Sequence, residues 1–539
     1  MCSSSETILT RKVTACQHSF IPFVLDAKRP EWVLIMDWFI SIDIGTTNTK
    51  GALMNTEGHV GAHYSIAHLV QSPESGWAEH DMEQNWWLDP VSIIRKLLLD
   101  SDVNPNDIRA VMLSGMSPSL GFTDEVGVPL RKGITQSDIR TPVHTLEDFG
   151  ITPWDHSKKS TYIIPRLLWI MENEPEIYSK IRKIFFAHSY LYYRLTSVYA
   201  IDFNTPCYVT PLYNCEKRKF DRNVFDAIGL TNCELPLVKS PINADATISA
   251  EAATLTGLSK QTKICVGTGD FYETMMAAGL KNPGDGLLYF GSVGMYFGLA
   301  EDISSFLRKP TQMGQPNDPL EMGPIFPVSG ILLEWYIKNF AKLESQQAIA
   351  AGASIYSILD DEASKLPIGA DKLLFLPHLN GERNPAIDPY AKGVLYGLRL
   401  DHGVANVYRA IMESYCFSFR HAMEEMIKKG EISSINRVSL SGGGAKSPLW
   451  RQITSDVLGV ETVFIPKSEE TTAGCYLAAM SCGVYDTMDV FFEQWLKTGS
   501  ICTVPIEENR TKYDLVFNLY KSIYERLRGS YSLLNNLPE

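Results

Sequence analysis

The sequence predicts an α/β protein of two lobes, and three observations carry that expectation. The chain has 539 residues, more than a single hydrophobic core ordinarily organises. A strand, a tip of glycine and hydroxyl residues and a second strand occur twice, about 250 residues apart, the trace a duplicated domain leaves. Strands alternate with helical periodicity around both copies, the mark of α/β layers.

The elements follow in order. Residues 1–37 are polar, broken by Arg11, Lys12, Lys28, Arg29 and Pro30, and hold no apolar stretch of the signal-peptide kind. They are expected to be a poorly ordered or non-native leader. Translation from Met36 and a Ser-rich mitochondrial presequence are the alternatives. An N-terminal domain is expected over 38–284. It opens on the apolar run 39–44, turns through Gly45-Thr46-Thr47-Asn48-Thr49, continues as the strand 51–54, and turns again at 55–58 into a third strand, an antiparallel meander. Helical spacing is clear at 86–99 and 164–170. A strand over 263–269 ends at Asp270, before a small-residue helix.

The second copy, 286–290 and 295–299 around Gly291-Ser292-Val293-Gly294, opens a C-terminal domain over 285–490. A helix at 403–428, a strand at 437–440 and a helix from Pro448 follow, and 491–539 is expected to be a helical extension.

Composition excludes several function classes. The apolar share of 45% and charged share of 21% are those of an ordinary globular protein. A net charge of -13 argues against a general nucleic-acid binder, which needs clustered cations to displace counterions. No apolar run reaches the roughly 18 to 20 residues that span a bilayer. The ten Cys residues are scattered, without zinc-site spacing, and read as reduced, small buried hydrophobes. A cytoplasmic protein is expected.

Phosphoryl transfer needs a cradle for phosphates, a carboxylate to place a metal, and a base for the incoming hydroxyl. Each has a candidate. Asp43 ends a buried strand beside a tip rich in amides and hydroxyls, where it could hold a metal through water or simply fix its own turn. Gly45, Thr46 and Thr47 would let backbone and hydroxyls approach a phosphate, as many tight turns do. Asp270, at a strand end, is placed either as general base or as cap of the following helix. Gly442, Gly443 and Gly444 offer bare backbone to a flat ligand or form a plain loop. Ser447 and Pro448 read as N-cap and first residue of the next helix. The order of residues is not that of a Walker loop.

Together these segments resemble the FGGY carbohydrate kinases, which include xylulokinases, gluconokinases, fuculokinases and glycerol kinases. The resemblance runs from Trp38 to about Asp486. Its strongest stretches are Ile42-Asp43-Ile44-Gly45-Thr46-Thr47, Gly76-Trp77-Ala78-Glu79-His80-Asp81, Gly267-Thr268-Gly269-Asp270, Gly381-Glu382-Arg383-Asn384-Pro385 and 441–452. It implies two actin-like, ribonuclease H-like lobes with a cleft where ATP and a sugar or polyol meet. It also implies Asp270 as catalytic base, Asp43 on Mg2+, and Gly45, Thr46, Thr47, Gly291 and Ser292 on the phosphates. Gly442 to Gly444 and Ser447 fall on the nucleotide side, and the resemblance leaves room for a homodimer.

The acceptor wall departs from the family. Xylulokinases carry Ser-Gly-Gln-Met-His-Gly where this chain has Ser114-Gly115-Met116-Ser117-Pro118-Ser119, which puts Ser117 and Pro118 at the sugar-facing pair. The family's Trp-Asn-Asp-Gln-Arg is Gln136-Ser137-Asp138-Ile139-Arg140 here. Gln136 and Asp138 are expected to face the acceptor, with hydrogen bonds replacing an aromatic wall. Phe271 stands beside the base where relatives carry an amide. Cys475 and Tyr476 replace small residues on a helix expected near the nucleotide. Two other readings remain: a nucleotide-binding regulator of the same fold without turnover, and an actin-like or chaperone-type ATPase.

Overall fold

The structure, a computed structural model, describes residues 36–151, 163–291, 294–310, 318–326, 330–382, 384, 387–466, 469–494 and 499–537. In the first lobe β1 (Trp38–Ile44), β2 (Asn48–Asn55) and β3 (Val60–Ala67) form the expected antiparallel meander. β1 also runs parallel to β4 (Ile108–Gly115). β1 is buried from Phe39 to Ile44, as its continuous apolar run requires of a strand covered on both faces. One cover is α1 (Asp89–Ser101), packed so closely that a Cβ on Gly51 would lie 2.4 Å from Ile93. The helical spacing from 86 begins as a π-helical turn, Gln84–Leu88, that runs into α1.

β5 (Ala246–Thr247) pairs antiparallel with β6 (Lys263–Ile264), and β6 and β7 (Thr268–Gly269) both run parallel to β4. The sheet order is β5-β6-β4-β1-β2-β3, with β7 on β4 beyond β6. One strand was expected over 263–269, and two are found. Gly267 has φ +87°, and a Cβ there would meet the Leu113 carbonyl at 2.3 Å. The chain bulges at this glycine, and the pairing register with β4 slips by one residue. The slip puts Asp43, Ser114 and Thr268 in one row across β1, β4 and β7, with Asp270 just past the strand ends. The lobe also holds the helices α2 (Ile164–Asn173), α3 (Ala187–Thr196) and α4 (Asp270–Ala277).

The second lobe repeats the plan. β8 (Asp285–Phe290), β9 (Gly294–Leu299) and β10 (Leu320–Phe326) form an antiparallel meander. β8 runs parallel to β11 (Arg437–Gly442), and β11 to β12 (Glu461–Phe464). The order β10-β9-β8-β11-β12 matches β3-β2-β1-β4-β6 strand for strand, so the duplicated hairpins head two copies of one sheet. Around it stand α5 (Ile355–Ser364), α6 (Val404–Lys428) and α7 (Pro448–Leu458). Ser447 caps α7, its hydroxyl accepting from Trp450 N at 3.0 Å. The stretch from 491 is not helical throughout, because β13 (Ile501–Thr503) extends the sheet along β12 before α9 (Glu507–Asn535).

Between β12 and β13 the chain returns to the first lobe. α8 (Glu470–Ser481) packs on β1, β2, β4 and α4, and one apolar core holds Phe39, Met54, Met112, Met275, Leu287, Leu299 and Tyr476 together. Cys475 and Tyr476, expected near the nucleotide, are therefore buried in the inter-lobe core. The Cys475 thiol donates toward the Phe39 and Ala52 carbonyls, and Tyr476 stacks on Tyr485 at 4.4 Å.

Candidate active site

The tip 45–47 is held from below. All three of its carbonyls are turned into protein: Gly45 O meets His68 Nε2 at 3.1 Å, Thr46 O meets His80 Nε2 at 2.9 Å, and Thr47 O accepts from His68 N at 2.9 Å. Trp86 Nε1 donates to His80 Nδ1 at 3.3 Å, which leaves the ring proton on Nε2 to bond Thr46. Burial, then the neighbouring His68, lowers the His80 pKa to about 4, so this clamp is a neutral imidazole at ordinary pH. With its carbonyl dipoles tied back and Gly45 N donating to Asn48 O at 3.0 Å, the tip offers a ligand the amides and hydroxyls of Thr46 and Thr47 instead. Gln136 Nε2 donates to Thr46 Oγ1 at 2.7 Å, so Gln136 belongs to this tip.

Above it lies a nest of acids. Asp43 is 4% exposed, and burial, then Glu470 of α8, raises it to about 6 against the pull of Lys50 and Ser114. Lys50 stands opposite Asp43 in the hairpin register and bonds Glu470 at 3.3 Å. Asp270 begins α4, whose N-cap is Gly269. It therefore stands at the first helical position and not at the N-cap position the sequence left open to it, and Gly269 has no side chain to cap with. Asp270 is partly exposed; its enclosure, then Asp43 and Glu470, holds its carboxyl well above the ordinary carboxylate range, although it accepts from the backbone of Phe271 and Ser117. Gly269 N donates to Thr205 Oγ1 at 3.1 Å, fixing the turn that aims the base candidate. Ser117 Oγ is buried without a partner and lies 2.7 Å from where a Gly269 Cβ would be. Pro118 next to it is half-buried.

Two expected acceptor residues are otherwise engaged. Asp138 is fully buried and accepts from Ala78 N at 2.8 Å and from Arg140 through Nε and NH2 at 2.9 and 2.6 Å. Arg140 also bonds Glu79 at 2.8 Å and lies over Trp77 and Trp169 at 4.0 and 5.0 Å. The acid and base retained from the family motif are a buried ion pair between aromatic rings, with no face left for a sugar. Phe271 meets Phe297 of β9 edge-on at 4.2 Å, so it joins the lobes.

On the second lobe a cavity of about 940 Å³ is lined by Gly291, Gly443, Gly444 and Ser447 together with Tyr289 and Tyr408. Gly442 precedes it with φ +88°. Ser292 lies outside the described residues. Sequence reasoning missed His68, His80, Lys50, Glu273 and Glu470. Two of them left a signal: His80 stands inside a quoted family stretch, and Glu273 follows Asp270 by one helical turn.

Paired ribonuclease H-like lobes, with carboxylates at the strand ends of one and a glycine-lined cavity on the other, define a two-lobed class of nucleotide-cleft proteins. Residues 38–277 and 308–482 match the N-terminal and C-terminal domain models of the FGGY family of carbohydrate kinases, and the chain belongs to that family. It is an ATP-dependent carbohydrate kinase. A xylulose kinase of Bacillus subtilis (strain 168) is 27% identical over 499 residues, 91% of this chain and 97% of that one. A gluconokinase of Bacillus licheniformis is 25% identical over 523 residues, 93% and 98% of the two chains. The crystal structure of xylulose kinase from Rhodospirillum rubrum superposes with TM-score 0.74 at 24% identity, over 92% of this chain and 100% of that one. Among the described residues no helix is long and apolar enough to cross a membrane.

Proposed function

We propose that the chain transfers the γ-phosphoryl group of ATP to a hydroxyl of a neutral sugar or polyol, with Asp270 as general base. The observation that carries this is the Asp270 carboxylate itself. It stands at the strand ends, at the first residue of α4, with a raised proton affinity, as a base poised to take a hydroxyl proton needs. In the step, the acceptor O–H gives its proton to Asp270, the acceptor oxygen bonds the γ-phosphorus, and the bond from phosphorus to the ADP oxygen breaks. The tip 45–47 and Gly291 bind the phosphates, and the cavity at Gly443, Gly444 and Ser447 takes the nucleoside. Residues 38–284 and 285–490 act as the two kinase domains.

Mg2+ fits the residues present. Asp43, Asp270 and Glu470 crowd one place, where Lys50 pulls against the rise at Asp43, and no group of three or more ligating side chains forms a cage among the described residues. Such a place suits an ion that keeps most of its waters and leans on one carboxylate and the phosphates. Asp43 would hold it, and the ion would neutralise charge on the phosphate oxygens.

The acceptor is neutral because, among the described residues, the cations Arg131, Arg140 and Lys50 are already paired. Arg140 and Arg131 are bound by Asp138, Glu79 and Glu174, and Lys50 by Glu470. A sugar acid would bring its carboxylate toward Asp43 and Glu470, where like charges repel.

Acceptor-dependent ADP release with a panel of ketoses, polyols and sugar acids tests this. Asp270→Asn is expected to lose roughly 10²- to 10⁴-fold in turnover while still binding ATP. A wild-type rate in that variant sinks the base, preference for a sugar acid sinks the neutral acceptor, and no ADP with any acceptor favours the regulator.

A further inference from the structure

Glu273 is fully buried, and the step just described makes no use of it. It lies one turn after Asp270 on α4, and its Oε2 is 2.8 Å from Ser114 Oγ. The same Ser114 Oγ is 3.0 Å from Asp43 Oδ1. A serine hydroxyl has one proton. Between two carboxylates it can donate to one, and its lone pairs would then face the other, a repulsive contact between buried groups. The geometry is satisfied when one of the two acids carries a proton and donates to the hydroxyl.

Glu273 is the acid that fits. It faces Asp43, Asp270 and Glu470, and Lys50 is bonded to Glu470, on the Asp43 side. Cys475 and Cys265, also beside it, have their thiols pushed above the ordinary range by burial first and by Glu273 among their neighbours. Oε1 has no hydrogen-bond partner. It is so close to α8 that a Cβ on Gly474 would be 2.8 Å from it and 2.1 Å from Ser41 Oγ. An unpartnered oxygen is far less costly as the carbonyl of a neutral acid than as half of a carboxylate. Asp43 has the opposite setting: Oδ1 is held by Ser114, while Oδ2 lies on the side of Gly45, 3.8 Å from where its Cβ would be.

We propose that Glu273 is a positioning residue held as a neutral carboxylic acid, donating to Ser114 Oγ so that Ser114 donates to Asp43 Oδ1 and turns Oδ2 toward the 45–47 tip. The relay rests on the reading of Asp43 given above and explains how a carboxylate among other acids keeps one orientation.

Three variants test it. Glu273→Gln keeps a donor toward Ser114, and conservative rescue is the expected result: kcat and the KM for ATP within about threefold of wild type, with an undiminished thermal midpoint. Glu273→Ala and Ser114→Ala are expected to lower kcat roughly 10- to 100-fold, as loss of an orienting partner does at metal sites. In calorimetry those two variants should bind ATP normally without Mg2+ and more weakly with it. Two results overturn the relay: Glu273→Gln falling as far as Glu273→Ala, which would require the charge, or alanine variants that lose thermal stability alone. Absence of acceptor-dependent ADP release in the wild type would overturn the reading of Asp43, and the relay with it.

Discussion

Replacing Asp43 by Asn should make the protein more stable and nearly inactive. Asp43 goes from an ordinary value of 3.8 to about 6 in the fold, through burial and then Glu470. The gap of about two pH units corresponds to about 3 kcal/mol held against the ionised form. Because the folded value is the higher one, the stability contributed by Asp43 is fully present below 3.8 and is lost as pH rises through 6. Asn carries no such charge, and its Oδ1 still accepts from Ser114. The advantage of Asp43→Asn is therefore about 1 kcal/mol near pH 4.5 and about 3 kcal/mol near pH 8. Urea unfolding midpoints of both proteins at the two pH values measure it. An advantage that fails to grow with pH, or a variant less stable than wild type at pH 8, refutes the argument that burial and then Glu470 hold Asp43 against ionisation. Stability gained where activity is lost would mark Asp43 as a residue kept for its chemistry.

His80→Ala leaves the Thr46 carbonyl and the Trp86 indole N–H without their partners. It is expected to cost about 2 to 3 kcal/mol of stability and to raise the KM for ATP about tenfold, equivalent to about 1.4 kcal/mol of binding; an unchanged KM would separate the tip from phosphate binding. Gly442→Ala forces a side chain to φ +88° with its Cβ 2.5 Å from the Phe290 carbonyl. A loss of about 2 kcal/mol or more and weakened ATP affinity follow, read by thermal midpoint and calorimetry.

The fold was legible because its signals are local. The hairpins at 39–54 and 286–299 declare themselves by apolar runs around a glycine tip, and their recurrence predicts duplicated lobes that the matching strand orders bear out. Ser447 announced its own cap. What escaped were features set by contacts far apart in sequence. The break at Gly267 depends on the Leu113 carbonyl. The return of α8 to the first lobe depends on a shared core, and no pattern in 470–481 says which sheet that helix covers.

The same distinction divides the site. Asp43, the 45–47 tip and Asp270 could be singled out because each sits where a strand ends, and strand ends are readable. Asp138 was misplaced because an Asp two residues before an Arg reads alike whether it meets a sugar or a guanidinium; only the rings of Trp77 and Trp169 over Arg140 decide. The proton affinities are harder still. Asp43 and Asp270 are raised in part by Glu470, about 430 and 200 residues later in the chain, brought to them by a helix that follows a strand of the other lobe. A carboxylate's identity is written locally, whereas its strength as a base is set by which distant acids share its low-dielectric surroundings. In this chain those neighbours come from both lobes, so the chemistry of the first lobe depends on how α8 is seated against it.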